Sequence, residues 1–295
     1  MGQGLKEGST VNSVSPVHDR SIGDIIAELR TLSAEQVAQI LRHQQANGMR
    51  FGEAAVALGL ASADDVNYAL SQQFHYPYAP HELNKLSDEL VVLSQAFGEQ
   101  AERFRALRSQ LIMRYFGEAG APRRALAVVS PDHGDGKTFV AANLAIALAQ
   151  VGAKTLLIDG DLRNPRQHEL FKLDGDAGLS HILAGKPQSG AVRPIAAVSG
   201  LCVLPVGITP PNPVELVERP AFGLLLAELV DKFDHVIVDT PAAVMGSDAS
   251  VIAARCGGAL LVARKNESRI DALQALSASL QQSSAKLVGA LVNEF

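Results

Sequence analysis

The 295-residue chain has no tryptophan, and aromatic residues make up only 5% of it. Its four tyrosines are Tyr68, Tyr76, Tyr78 and Tyr115, so none follows position 115. Cysteine is nearly as scarce. Cys202 and Cys256 are too far apart for a metal or redox spacing, which excludes a disulfide framework and fits a reducing cytoplasm. Basic excess is also missing: the net charge of −5 gives no global footprint for nucleic acid. No apolar run approaches the roughly 20 residues that a bilayer requires. The start lacks a signal peptide's charged and apolar regions, and Lys6 stands where a myristoylation motif needs Ser or Thr. Direct membrane insertion is therefore not expected. With 47% hydrophobic and 19% charged residues, the composition is globular and excludes wholesale disorder.

The chain is long enough for about two domains. Residues 1–20 are polar, and disorder is expected there. Residues 21–80 carry a tandem repeat, read as a small all-α domain. Ser21-Ile22-Gly23-Asp24-Ile25-Ile26 opens one copy, and Arg50-Phe51-Gly52-Glu53-Ala54-Ala55 opens the next, 29 residues on. Each copy reads as two short helices. Ser33 and Ser62 suit N-caps, and Val37/Leu41 and Val66/Leu70 fall one turn apart on one face. Residues 81–124 read as a linker followed by a helix from about 100 to 116. Within residues 125–295, short apolar runs at 125–130, 155–159, 201–205, 235–239, 258–263 and 287–293 alternate with helical patterns. That alternation predicts a mainly parallel sheet covered by helices, with its ligand site at the C-terminal strand ends.

The first of these runs leads into Pro131-Asp132-His133-Gly134-Asp135-Gly136-Lys137-Thr138, and a helix follows. Strand, glycine-rich turn and helix in that order make a P-loop, although Pro131 replaces its first glycine. The turn at Gly134, Asp135 and Gly136 lets backbone N–H groups wrap phosphates. Lys137 would neutralise β/γ-phosphate charge, and Thr138 would place its hydroxyl on Mg²⁺. Two later strands end in carboxylates, at Asp159-Gly160-Asp161-Leu162-Arg163 and at Asp239-Thr240-Pro241. A strand-end aspartate can be a simple turn former. Two of them on the edge that carries the P-loop point to bound ATP and Mg²⁺.

These three motifs together resemble the bacterial tyrosine kinases of capsule and exopolysaccharide synthesis. Gly178-Leu179-Ser180-His181-Ile182-Leu183-Ala184-Gly185 and Pro210-Pro211-Asn212-Pro213-Val214-Glu215-Leu216 extend the likeness, which covers about residues 98–295. The resemblance implies an ATP- and Mg²⁺-dependent protein-tyrosine kinase on a P-loop fold. Asp159 would orient or deprotonate the acceptor hydroxyl, while Asp161 and Asp239 would support Mg²⁺ and the γ-phosphate. Arg163 joins the nucleotide set, and Asn293 matches a position that contacts adenine. Its plainer reading is a strand-end turn. Glu102, Arg105 and Arg108 match a subunit-contact motif, which implies a homo-oligomer; their plainer reading is a solvated helix face. The family also implies a cytoplasmic protein recruited to the inner membrane by a membrane chain-length determinant that activates it.

The N-terminal repeat is similar to the N-terminal domains of type II secretion and pilus ATPases, some of which bind cyclic di-GMP. Arg50, Gly52, Gly59 and Gln73 of the second copy fit that motif. The first copy has Ser21 for the Arg and Arg30 for the second Gly. Cyclic di-GMP binding and protein docking both remain open for this domain. Two further readings stand beside the kinase. One is a partition- or division-site-type ATPase switch, which needs a lysine where this chain has Asp132. The other is a non-catalytic ATP-binding regulator of a membrane chain-length determinant. Relatives modify a C-terminal tyrosine cluster, which the last 180 residues here do not contain. The acceptor is then another protein, or one of Tyr76, Tyr78 and Tyr115 if these are not simply packing residues.

Overall fold

A computed structural model describes residues 21–73, 86–117, 122–186 and 189–294. The chain divides into two compact units, Met1–Tyr76 and Pro77–Phe295. The expected disorder of residues 1–20 lies outside the described residues, as do Tyr76 and Tyr78.

The first unit contains α1 (Ile22–Leu29), α2 (Ala34–Asn47), α3 (Phe51–Ala57) and α4 (Ala63–Gln73). Ser21 with Asp24 and Ser33 with Gln36 form capping boxes, and Ser62 with Asp65 exchanges the same pair of bonds. Each box satisfies two helix-end N–H donors that would otherwise lack partners. The core is small, made of Ile25, Ile26, Ile40, Ala54, Ala55, Ala61 and Ala69. Gly52 allows α3 to close on α4: a Cβ there would stand 2.8 Å from a Val66 methyl.

The two copies differ by one residue in their first helix, which has 8 residues in α1 and 7 in α3. The left-handed residue after that helix is Thr31 in the first copy and Gly59 in the second. Thr31, not Arg30, is therefore the structural counterpart of Gly59, which corrects the uniform 29-residue alignment. Arg30 does separate work. Its Nε donates to Asp65 Oδ2 at 2.6 Å and its Nη2 to Ser62 Oγ at 3.3 Å, tying the first copy to the second copy's cap. The Asp65 carboxyl titrates below its usual range; burial opposes this, and the Ser62 and Arg30 bonds outweigh it.

In the second unit, α5 (Val91–Ser94) and α6 (Glu99–Leu111) precede a π-helical turn (Ile112–Phe116). The alternation that follows is β1 (Leu126–Val129), α7 (Lys137–Ala149), β2 (Thr155–Asp159), α8 (Gln167–Leu170), α9 (Leu179–Leu183), β3 (Arg193–Pro194) and β4 (Leu201–Leu204). Then come α10 (Pro213–Glu218), α11 (Pro220–Lys232), β5 (His235–Asp239), α12 (Asp248–Cys256), β6 (Gly258–Arg264), α13 (Ile270–Gln282) and β7 (Lys286–Asn293). The strand order is β3-β4-β2-β5-β1-β6-β7, parallel except for β3 against β4. The expected P-loop α/β fold with a helical N-terminal unit is thus present.

Side-chain alternation divides the core between the two sheet faces. Leu126, Val128, Leu157, Ile237 and Leu260 face α7, while Ala127, Val129, Leu156, Val238 and Leu261 face the other layer. Helix α7 is buried almost all round, as a central helix must be. Each fully buried Leu or Ile in it contributes about 1.5–3 kcal/mol. The segment read as a linker joins this core. Leu90, Val91, Val92 and Leu93 pack on α7, where the fully buried Asn143 accepts from Val92 N and donates to Glu89 O. Among the described residues, no helix is long and apolar enough to cross a membrane.

Candidate active site

The strand order leaves β1 between β5 and β6; the connection from β1 runs to one side, to β2, and that from β5 crosses to the other, to β6, which leaves a crevice at the C-terminal end of β1. The P-loop fills that crevice. Gly134 (φ 79°) and Gly136 (φ 96°) take the left-handed conformation that a side chain disfavours. The loop is braced from behind. The buried Asp135 carboxylate accepts from Asp132 N at 2.9 Å and from Ser268 Oγ at 2.6 Å. Asn293 Nδ2 donates to Asp135 O at 3.1 Å. Asp135 therefore shapes the loop with its side chain and leaves its backbone N–H for phosphate. The ends of β6 and β7 hold it in place. His133, by contrast, is exposed.

Lys137 opens α7 and is 5% exposed. Facing it, the parallel register sets Asp159 directly opposite Asp239. Both carboxylates are fully buried. Asp159 Oδ1 accepts from Asp161 N, and its Oδ2 accepts from Arg166 N and from Gln167 N at 3.0 Å. Burial, then the neighbouring Asp239 charge, pushes Asp159 well above the usual carboxylate range. Burial also raises Asp239, to about 6, with the Lys137 charge, the Thr138 hydroxyl and Gln167 holding it down. Asp239 Oδ2 accepts from Gln167 Nε2 at 3.0 Å, while its Oδ1 is buried without a hydrogen-bond partner among the described residues. Asp161 Oδ1 accepts from Arg163 N and Asn164 N in a tight turn. Thr240, next to Asp239, ties β5 to β1 through a 2.7 Å bond to Val128 O.

Among the described residues no three His, Cys, Asp or Glu side chains form a metal cage. The donor set is instead hydroxyl and carboxylate oxygen, with one buried carboxylate oxygen open. That chemistry fits Mg²⁺, which binds through one or two carboxylates plus substrate phosphates. The structure thus brings Gly134, Asp135, Gly136, Lys137, Thr138, Asp159, Asp161 and Asp239 together at one edge.

Other expected residues are engaged locally. The Arg163 guanidinium forks onto the buried Asp248 at the start of α12, at 3.2–3.4 Å. Glu102 pairs with Arg105, which also donates to Ala96 O, and Arg108 Nη1 reaches Ala147 O at 3.1 Å. Arg50 is exposed and donates its N–H to Glu53 Oε2. Tyr115 packs, as its plainer reading held. It is 4% exposed, its hydroxyl donates to Ala125 O at 2.7 Å, and its ring fills the space beside Gly258. Gln167, Asp248 and Ser268 were not singled out from the sequence. Each has a site partner 72 or more positions away, which no local pattern marks.

Residues 126–295 match the CobQ/CobB/MinD/ParA nucleotide-binding domain. The tyrosine-protein kinase CpsD of Streptococcus agalactiae is 33% identical over 194 residues, 65% of this chain and 82% of CpsD. The solved kinase domain of the Escherichia coli tyrosine kinase ETK superposes with a TM-score of 0.65 at 33% identity, covering 70% of this chain and 79% of that one. The septum site-determining protein MinD of Pyrococcus horikoshii, solved with Mg-ADP, superposes with a TM-score of 0.51 at 26% identity, covering 58% and 70%. The chain therefore belongs to the CobQ/CobB/MinD/ParA nucleotide-binding proteins and, within them, to the bacterial tyrosine-protein kinases.

Proposed function

We propose that this chain transfers the γ-phosphoryl group of ATP to protein tyrosine, and that this transfer regulates exopolysaccharide polymerisation, chain length and export. The observation that carries the reading is the facing pair Asp159 and Asp239, fully buried beside Lys137 at the P-loop edge. Burying two carboxylates costs stability, which makes sense where charge develops during a reaction.

Backbone N–H groups of 134–138 and the Lys137 ammonium bind the phosphates. Thr138, Asp161 and Asp239 hold Mg²⁺, which supplies charge neutralisation on the transferring group when bound. Asp159 orients the acceptor hydroxyl and, in its ionised form, takes its proton. Arg163 supports the nucleotide set through Asp248. Asn293 contacts adenine; beside it an apolar groove is lined by Phe104, Phe139, Val140 and Leu291.

Tyr115 is sealed in the core, so the acceptor is a tyrosine of another protein or one of Tyr76 and Tyr78. Glu102, Arg105 and Arg108 join neighbouring copies into a homo-oligomer, exchanging present bonds within the chain for bonds between chains. The setting is cytoplasmic, at the inner membrane, with a membrane chain-length determinant as recruiter and activator. The N-terminal unit serves as a protein-docking module. In support, Gly52 and Gly59 are both accounted for by helix packing and a left-handed turn. Titration with cyclic di-GMP tests the alternative at Arg50, Gly52, Gly59 and Gln73.

The test incubates the protein with ATP and Mg²⁺, with and without a cytoplasmic segment of the membrane partner, and maps phosphotyrosine by mass spectrometry. Phosphotyrosine on the partner, on a third protein or at Tyr76 or Tyr78 is expected. ATP hydrolysis with no phosphotyrosine on any component would favour the partition-type switch, whose fold this chain shares.

A further inference from the structure

Gln167 is the first residue of α8, and its side chain is completely buried. It touches three parts of the site at once. Its backbone N–H donates to Asp159 Oδ2 at 3.0 Å. Its side-chain Nε2 donates to Asp239 Oδ2 at 3.0 Å and to the carbonyl of Thr138 at 3.2 Å. Both of these partners are acceptors, so the amide nitrogen must face them and the amide oxygen must face away. That oxygen is buried and has no hydrogen-bond partner among the described residues, and the same holds for Asp239 Oδ1. A fully buried amide with one half unsatisfied is expensive as a packing element, because a lost partner costs the full desolvation of the group. An apolar side chain of the same length would fill the space without that cost. The expense is explained if the other half of the amide has a task.

We propose that Gln167 is a positioning residue that clamps the Asp239 carboxylate to the start of α7, leaving Asp239 Oδ1 as the oxygen available to the Mg²⁺–nucleotide. This rests on the reading of the P-loop edge as an ATP and Mg²⁺ site. The clamp acts through three fixed points. Thr138 O anchors the amide to the P-loop helix, Asp159 holds the backbone of the same residue, and Asp239 Oδ2 takes the remaining N–H. With Oδ2 occupied, rotation of the carboxylate is blocked and Oδ1 keeps one direction. Partners of this kind, one step removed from a metal, set ligand orientation and affinity.

The experiment measures the affinity of the full chain for a fluorescent ADP analogue by titration, once with Mg²⁺ and once with EDTA. Wild type, Gln167→Met and Gln167→Glu are compared. Methionine keeps the volume and loses both hydrogen-bonding ends. Glutamate keeps the shape and replaces the donor by an acceptor facing Asp239. The wild type is expected to bind more tightly with Mg²⁺. In both variants that metal-dependent gain should fall by roughly 10- to 100-fold while the metal-free affinity stays within about twofold of wild type. With Mn²⁺ as the probe, the electron paramagnetic resonance line shape of the bound metal should also change in Gln167→Met. An undiminished Mg²⁺ gain in either variant overturns the clamp and leaves the nucleotide reading intact. Equal loss with and without Mg²⁺ also overturns it, since a purely structural role would weaken both. If wild type itself binds the analogue no better with Mg²⁺, the reading of the site fails and the clamp with it.

Discussion

The two units use polar side chains in opposite ways. In residues 21–73 the polar side chains that shape the fold lie at the surface and are satisfied close by. Ser21 bonds Asp24, Ser33 bonds Gln36, Ser62 bonds Asp65, and Arg30 reaches the last of these caps. None of the described side chains there is a buried polar group lacking a partner. In the second unit, Asp159, Asp161, Gln167, Asp239 and Asp248 are taken out of water, and two of their atoms have no partner among the described residues. Capping groups stabilise the helices they end. Buried carboxylates raised in pKa do the reverse at neutral pH. The difference separates polar groups that build the protein from polar groups held ready for a ligand.

Substitutions should divide along the same line. Lys137→Met is expected to have the largest effect. It should reduce phosphotransfer by at least about 10²-fold, the scale of losing one preorganised charge, with the fold retained by circular dichroism. Loss of the fold together with activity would erase the contrast.

Asp159→Asn comes next. Wild-type Asp159 keeps its proton in the folded state at pH values where the unfolded chain has released it. Folding stability should therefore fall as pH rises above the ordinary carboxylate value of about 4 toward the raised folded value, at up to about 1.4 kcal/mol per pH unit. Asn carries no such proton, so denaturant midpoints of the variant should lose this slope. Phosphotransfer should fall as well. An unchanged slope would mean that burial of this carboxylate carries no cost.

Gly52→Val tests the other side. Its side chain would press on Val66, from which even a Cβ stands only 2.8 Å away. The expected cost is about 1–3 kcal/mol. It should appear as faster hydrogen exchange in residues 21–73, with ATP affinity unchanged. The smallest effect is expected from Arg30→Ala. The pair it forms with Asp65 is half-exposed on the arginine side, so the loss should be no more than about 1 kcal/mol in a double-mutant cycle with Asp65→Asn.

What could be read from the sequence follows the range of the interactions. The P-loop is a local device: an apolar strand, two glycines, Lys137 and Thr138 stand between Leu126 and Thr138, and each part implies its neighbour. Asp159 and Asp239 announce themselves as the ends of apolar runs. Gln167 does not, because the groups that give it meaning are Thr138, 29 residues earlier, and Asp239, 72 residues later. Ser268 and Asn143 are hidden for the same reason. The edge strand β3 has two residues, one of them Pro194, too few for any periodicity. Residues 90–93 read as a connector because a single helical turn carries no repeat, yet they are core. The register of the N-terminal repeat was legible at both caps and misread between them, where Thr31 takes the turn that Gly59 takes in the second copy.

The central claim is that the buried carboxylate edge directs the γ-phosphoryl group to tyrosine and not to water. It is tested most directly by following ATP labelled at the γ-phosphate in the presence of Mg²⁺ and a cytoplasmic segment of the proposed membrane partner. The label should appear on protein tyrosine with the wild type and disappear with Lys137→Met. Label recovered only as inorganic phosphate with the wild type would contradict the account.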